Sequence, residues 1–312
     1  MASANIPNPR LICILGPTGV GKTAMALELA ERWGGEIVSA DSMQVYRQMD
    51  IGTAKPTPEE RRRVPHHLLD VVNPDEPFDV SQYIRLANGV IADLQHKKKP
   101  VFVVGGTGLY IRALLGGLID GPGADEALRQ TLREEMNRLG KPHLYEKLRA
   151  KDQKAADRIH PHDGVRIIRA LEVLELTGRS IVEHQQEHQF REAPYKTLRI
   201  GLTLDRERLN DRIEQRTDRM IADGFVEEVR RLLEMGYAES LKPLQSFGYR
   251  DMISFLAGRQ SLEEAVRLIK RDTFRYAKRQ MTWFATDREV GWLDPEEVDE
   301  ASRRIGLFLD PG

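Results

Sequence analysis

The sequence predicts an α/β fold on a doubly wound parallel sheet, and three features carry that reading. Short apolar runs alternate with helix-patterned stretches, glycine-rich turns follow two of the runs, and one long strand-free block interrupts the alternation. At 312 residues the chain can bury a full α/β core and still supply one additional lobe.

Residues 11–15 form a continuous apolar run, the pattern of a strand buried on both faces, and the Ala/Leu/Glu-rich stretch 23–32 is the helix that follows. Between them Gly16, Pro17, Thr18, Gly19, Val20, Gly21, Lys22 and Thr23 fit G-x-x-x-x-G-K-[ST], a phosphate-binding loop in its required strand-to-helix setting. Glycines let the backbone wrap phosphate oxygens, N–H groups converge with the helix N-terminus, Lys22 adds a point charge, and the Thr23 hydroxyl can ligate magnesium. This loop holds a diphosphate and is silent on what the diphosphate is attached to.

Gly34-Gly35 closes the helix, and residues 36–40 make a second strand that delivers Asp41 and Ser42 at its C-terminal end, where ligands of open α/β sheets bind. Residues 50–56 read as loop, 67–72 as a strand, 81–97 as a helix, and 100–104 as a buried strand ending in Gly105-Gly106-Thr107-Gly108 before a helix over 109–115. From 120 to 196 there is helical periodicity without a strand, broken at Gly140, His160-Pro161-His162 and Thr177-Gly178. That block is expected to be a helical lobe inserted into the core, making a cleft with it. A strand resumes over 197–204, helices follow over 206–222, 226–235 and 262–284, and a last strand spans 290–293. The expected division is therefore a core of 1–119 and 197–312 with C-terminal helices, and an insertion of 120–196.

Composition excludes little. Lys+Arg 47 against Asp+Glu 48 gives a net charge of -1, so a polyanion would have to be met by local clusters of positive charge. The single cysteine, Cys13, excludes an internal disulfide and reads as core packing. Residues 1–9 lack an apolar signal-peptide segment and no stretch has the length to span a bilayer, so a soluble cytoplasmic protein is expected.

Asp41 is open to three readings: general base, magnesium ligand or strand-end cap. Motor-type ATPases carry a second acid after another apolar strand, but here 101–104 runs into Gly105-Gly106, which argues against a mechanochemical NTPase. Those glycines mark either a close approach of ligand to backbone or simply a tight turn. Leu209, Ile213, Arg216 and Met220 share one helical stripe, so Arg216 lies on an apolar face and needs a partner, a diphosphate or a carboxylate. Arg267, Lys270, Arg271, Arg275, Lys278 and Arg279 with only Asp272 among them make either a solvated helix face or a docking surface for a nucleic-acid backbone. His184-Gln185-Gln186-Glu187-His188 has zinc-peptidase spacing but no apolar shell, and it reads as a chance match; His160 and His162 read as loop residues.

Taken in order, several blocks resemble the bacterial tRNA dimethylallyltransferase family. They are the phosphate loop, Ser39-Ala40-Asp41-Ser42 with Gln44-Val45-Tyr46, Met49 through Pro56, Gly105 through Tyr110, Arg169-Ala170-Leu171-Glu172, Arg212 through Arg216, Gly248-Tyr249-Arg250 and Lys278 through Trp283. The resemblance implies a P-loop NTPase-like core with a helical insertion that grips tRNA, acting as a monomer away from membranes. It implies transfer of a dimethylallyl group from dimethylallyl diphosphate to the exocyclic amine of the adenosine 3′ to the anticodon, with Mg2+ as cofactor. Position by position it assigns Asp41 as base, Thr23 as magnesium and pyrophosphate contact, and Arg216 as pyrophosphate partner. It places Asp41, Ser42, Met43, Gln44, Thr107, Val165, Arg166, Ile167, Ile168, Arg169, Gln245, Ser246, Phe247, Gly248, Tyr249 and Arg250 against the tRNA anticodon stem-loop. A base flipped into the cleft is the expected geometry. The competing readings are an ATP-dependent small-molecule or nucleotide kinase, adenylate isopentenyltransferase chemistry on a free nucleotide, and an NTP-gated RNA-binding module.

Overall fold

The computed structural model describes residues 9–117, 122–188 and 193–310, with the His188 side chain also outside that description. The segment 1–8 and the expected start of the insertion at 120 therefore lie outside the described residues. The chain divides into two compact units, Met1–Leu115 with Pro194–Gly312, and Gly116–Ala193.

The first half of the larger unit runs β1 (Arg10–Leu15), α1 (Lys22–Arg32), β2 (Glu36–Ala40), α2 (Pro58–Arg63), β3 (His66–His67), α3 (Val80–His96), β4 (Val101–Gly105) and α4 (Gly108–Gly116). The smaller unit contributes α5 (Glu126–Leu139), α6 (Lys141–Lys151), α7 (Gln153–Ala156), α8 (Gly164–Thr177) and α9 (Ile181–His188). The chain then returns as β5 (Lys196–Leu202), α10 (Arg206–Ala222), α11 (Phe225–Glu234), α12 (Tyr249–Leu256), α13 (Leu262–Phe284), β6 (Val290–Leu293) and α14 (Val298–Leu309).

Among the described residues six strands form one parallel sheet in the order β3-β2-β4-β1-β5-β6. β1, β2 and β4 are buried almost throughout, Glu36 and Ser39 of β2 included, with one set of apolar side chains in each of two cores on opposite faces. Cys13 is part of this packing, and burial pushes its thiol up to about 12. Register positions the chemistry: Leu15 pairs with Gly105 and Ala40 pairs with Gly105, so the chain leaves β1, β4 and β2 at one level. Gly16, Gly106 and Asp41 consequently emerge side by side at the C-terminal edge of the sheet.

The strand expected over 67–72 is only His66–His67. Leu68 and Asp70 take left-handed backbone angles, φ 63 and 56, which turn the chain out of the sheet, and Val72 meets Tyr46 through a single bridge. Helices α2, α12 and α14 are additions to the expected pattern. Inside the smaller unit Leu132, Leu144, Leu148, Ile167 and Leu171 build a separate core. Its buried carboxylate, Glu172, is held by Arg129, by Arg169 at 2.6 Å and by the Asp125 amide at 2.8 Å.

The loop after β2 is fixed by a second buried carboxylate. Glu228 of α11, 1 % exposed, accepts from the backbone N–H groups of Asp50 (2.8 Å), Ile51 (2.6 Å) and Gly52 (3.1 Å) and from the Tyr249 hydroxyl (2.6 Å). Lys55, also buried, donates to the Tyr46 carbonyl, Asp50 and Asp70. Glu228→Ala leaves four donors without their acceptor, so urea unfolding is expected to show a loss of about 3 kcal/mol or more. A loss below about 1 kcal/mol would mean that the loop finds other acceptors.

Candidate active site

The phosphate loop leaves β1 with Gly19 at φ 83, a left-handed angle, where an added Cβ would lie 2.8 Å from Ile213 of α10. Lys22 at the start of α1 folds back over the loop and donates to the carbonyls of Gly16 (3.0 Å) and Pro17 (2.7 Å). Arg216 reaches the loop from α10, its Nη1 donating to Thr18 Oγ1 at 3.1 Å. Among the described residues Arg216 forms no direct ion pair, and Asp41 is the carboxylate that acts on its charge, which leaves a cation beside the loop.

These residues surround a cavity of about 300 Å³ whose walls also include Asp41, Thr53, His66, Gly106, Ile213, Met220, Phe225, Phe247, Ile269, Tyr276 and Gln280. Its lining is charged and polar in part, and much of the remainder is aliphatic or aromatic. Withdrawal from water, reinforced by the neighbouring Arg216 guanidinium, pulls the Lys22 ammonium from 10.5 down to about 7 against the opposing effect of Asp41. Burial lowers Arg216 as well, and Asp41 again opposes it. The cavity thus concentrates two cations next to one carboxylate, the arrangement expected where an anion binds.

Asp41 both caps and faces the cavity. Its Oδ1 accepts from the N–H groups of Met43 (2.8 Å) and Gln44 (3.3 Å), while Oδ2 accepts from none of the described residues. The Thr107 hydroxyl accepts from the Ser42 N–H at 3.0 Å, tying the turn after β4 to the segment after β2. Gln44 is spent on structure, bonded to Ser39 and to the carbonyls of Thr53 and Ala54. The turn glycines are dictated by protein: a Cβ on Gly106 would lie 2.2 Å from Gln280 Nε2.

Other expected contact residues are placed differently. Ile167 and Ile168 are buried in the core of the helical unit, while Arg169 pairs with Glu172 and keeps part of its side chain exposed. Val165, 81 % exposed, and Arg166 are the most accessible members of that segment. Tyr249 is buried and bonded to Glu228, and it borders the cavity together with Ser246, Phe247 and Gly248, whereas Gln245 and Arg250 are exposed. The basic face of α13 is laced with acids from several elements: Arg267 pairs with Glu264, Lys270 with Asp218, and Arg271, Arg275 and Arg250 with Asp272. Lys278 and Arg279 have no ion pair among the described residues, and Arg279 lies 5.6 Å from the Tyr276 ring centroid. In the H-x-x-E-H segment Glu187 is bonded to Arg179 and His184 to Thr177, and His188 lies outside the described side chains.

Several cavity residues escaped sequence reading. On α13, Ile269, Thr273, Tyr276 and Gln280 repeat the spacing seen on α10, a stripe hidden within the basic run. His66 holds its Nδ1 against the Val64 carbonyl at 2.8 Å, and burial keeps the ring below its ordinary pKa, so a neutral imidazole borders the site. Only its position in a short strand could have marked it.

A phosphate loop at the C-terminal edge of a parallel sheet, with cations, a carboxylate and apolar groups around one cavity, marks an α/β protein of the phosphate-loop class. The family model described as IPP transferase matches residues 44–287, and that described as isopentenyl transferase matches residues 9–71. The chain belongs to the IPP transferase family, that of the bacterial tRNA dimethylallyltransferases. It is 58% identical over 307 residues to tRNA dimethylallyltransferase 2 of Syntrophus aciditrophicus, covering 98% of this chain and 99% of the relative. It is 55% identical to tRNA dimethylallyltransferase of Geobacter metallireducens over 91% of this chain and 92% of that one. Among solved structures it is similar to the tRNA isopentenylpyrophosphate transferase of Bacillus halodurans, with 41% identity, TM-score 0.72 and 97% of each chain covered. It is also similar to a eukaryotic dimethylallyltransferase solved acting on tRNA, at 25% identity and TM-score 0.77, over 96% of this chain and 78% of that one.

Proposed function

We propose that this protein transfers a dimethylallyl group from dimethylallyl diphosphate to the exocyclic amine of the adenosine 3′ to the anticodon of tRNA, releasing diphosphate. The observation that carries the proposal is the convergence of Lys22, Arg216 and Asp41 on one partly apolar cavity at the end of the phosphate loop. Adenine's amine is a weak nucleophile because its lone pair is delocalised into the ring. The donor therefore has to supply the drive, its C–O bond breaking as positive charge grows on the allyl carbon and negative charge on the diphosphate. Loop N–H groups, Lys22 and Arg216 are preorganised against that growing negative charge. Ile213, Met220, Phe225 and Ile269 shield the allyl carbon from water, which would otherwise capture it. The free Oδ2 of Asp41 takes the amine proton as the C–N bond forms.

The donor set fits magnesium. Thr23, a hydroxyl residue, and Asp41, a carboxylate, both line the cavity, and such oxygen donors suit an ion that keeps diphosphate oxygens and water as its other ligands. When bound there, the ion would neutralise charge on the departing diphosphate. For tRNA, exposed Val165 and Arg166 on the helical unit, and Lys278 and Arg279 on α13, are the surfaces that support docking. No helix among the described residues is long and apolar enough to cross a membrane.

The test supplies magnesium and a tRNA with adenosine after the anticodon, together with either labelled dimethylallyl diphosphate or labelled ATP. Label entering tRNA from the prenyl donor alone is the expected result. Phosphoryl transfer from ATP with no prenylated RNA would replace this function with a kinase.

A further inference from the structure

The hydrogen bonds around α13 single out the residue that follows the basic run. Gln280 is buried, and both ends of its amide are engaged: Oε1 accepts from the Thr18 N–H at 2.8 Å and Nε2 donates to the Gly106 carbonyl at 2.8 Å. The partners dictate the orientation, since a backbone N–H must face the amide oxygen and a carbonyl must face the nitrogen. Thr18 is thereby held at two points, its backbone by Gln280 and its hydroxyl by Arg216 at 3.1 Å. One turn earlier on the same helix, the Tyr276 hydroxyl lies within reach of Thr107 and Gln280, and Thr107 holds the Ser42 N–H beside Asp41.

We propose that Gln280 is a positioning residue that locks the diphosphate loop to the strand ends bearing Asp41, and so sets the separation of leaving group and base; this rests on the transferase reading above. Only an uncharged amide satisfies both partners. A lysine could not accept from Thr18, and a glutamate could not donate to Gly106 and would add a negative charge beside the diphosphate. The approach is close enough to require glycine at 106, where a Cβ would sit 2.2 Å from Gln280 Nε2. Group transfer is sensitive to displacements of this kind, about 10²-fold in rate for an error near 1 Å.

The test compares the full-length protein with its Gln280→Leu and Gln280→Glu variants in prenyl transfer to tRNA, alongside melting curves. For Gln280→Leu, kcat is expected to fall about 10- to 100-fold while the KM for tRNA stays within about twofold and the protein remains folded. Gln280→Glu keeps the Thr18 acceptor alone and is expected to show an intermediate kcat with a raised KM for dimethylallyl diphosphate. Wild-type kcat in Gln280→Leu, or a fall that merely follows its folded fraction, overturns the positioning role. Should the leucine variant not fold, wild-type kinetics in Gln280→Glu overturns it equally. Wild-type protein that prenylates no tRNA removes the transferase reading and this role with it, whereas an active wild type beside an equally active leucine variant removes the role alone.

Discussion

Asp41→Asn is expected to slow prenyl transfer by about 10²- to 10⁴-fold, the contribution of a positioned general base, with tRNA affinity nearly unchanged. Asparagine is the informative substitution because Asp41 has two duties. Its Oδ1 accepts from Met43 and Gln44 and so shapes the turn after β2, and an asparagine oxygen can do the same. The other oxygen, which faces no described donor, becomes an amide nitrogen that cannot take a proton. Asp41→Ala removes both duties together. Single-turnover rates and tRNA binding measured on the two variants therefore separate chemistry from architecture. If asparagine transfers the prenyl group at the wild-type rate while alanine fails, Asp41 is a cap and the proton goes elsewhere. If both variants lose tRNA affinity in step with rate, the residue acts in RNA binding.

What could be read in advance follows from the range over which each constraint acts. The phosphate loop was legible because a backbone that wraps an anion demands glycines at fixed local spacing, and Gly16, Gly19 and Gly21 all take positive φ. Arg216 was legible because a charge on an apolar helical stripe is a local contradiction that only a partner resolves. Gln280 and Glu228 were not, since a glutamine or glutamate on a helix is ordinary until its partners are known. Thr18 lies 262 positions from Gln280, and Asp50 lies 178 from Glu228. The run from Val165 to Arg169 shows the opposite limit. Resemblance places the whole segment against RNA, but helical geometry turns Ile167 and Ile168 inward and leaves Val165 outside. Likewise the basic run on α13 left a solvated face and a docking surface open, and its pairing with Glu264 and Asp218 depends on residues outside the run.

Arg216→Met carries the other large effect, a fall of about 10²- to 10³-fold in kcat/KM for dimethylallyl diphosphate, comparable to removing one donor from a preorganised anion site. The same variant alters pH dependence in a direction fixed by Lys22. In the native protein Lys22 titrates at about 7 rather than 10.5, with burial the larger cause and Arg216 the next. Between those two values the unfolded chain holds a proton at Lys22 that the native protein lacks, so this residue makes stability rise as pH climbs through the window, and its penalty is complete below about 7. A bound diphosphate favours the ammonium, so kcat/KM of the wild type is expected to decline as pH rises above about 7. Removing the Arg216 guanidinium lifts the Lys22 pKa, which shifts that decline to higher pH on a lower plateau. The donor's own ionisation is common to both proteins and cancels in the comparison. A variant with the lower plateau but an unmoved alkaline limb would mean that Lys22 is not the group titrating. An unaltered plateau would mean that Arg216 does not touch the leaving group, and the charge balance of the site would have to be reassigned to the loop amides and Lys22 alone.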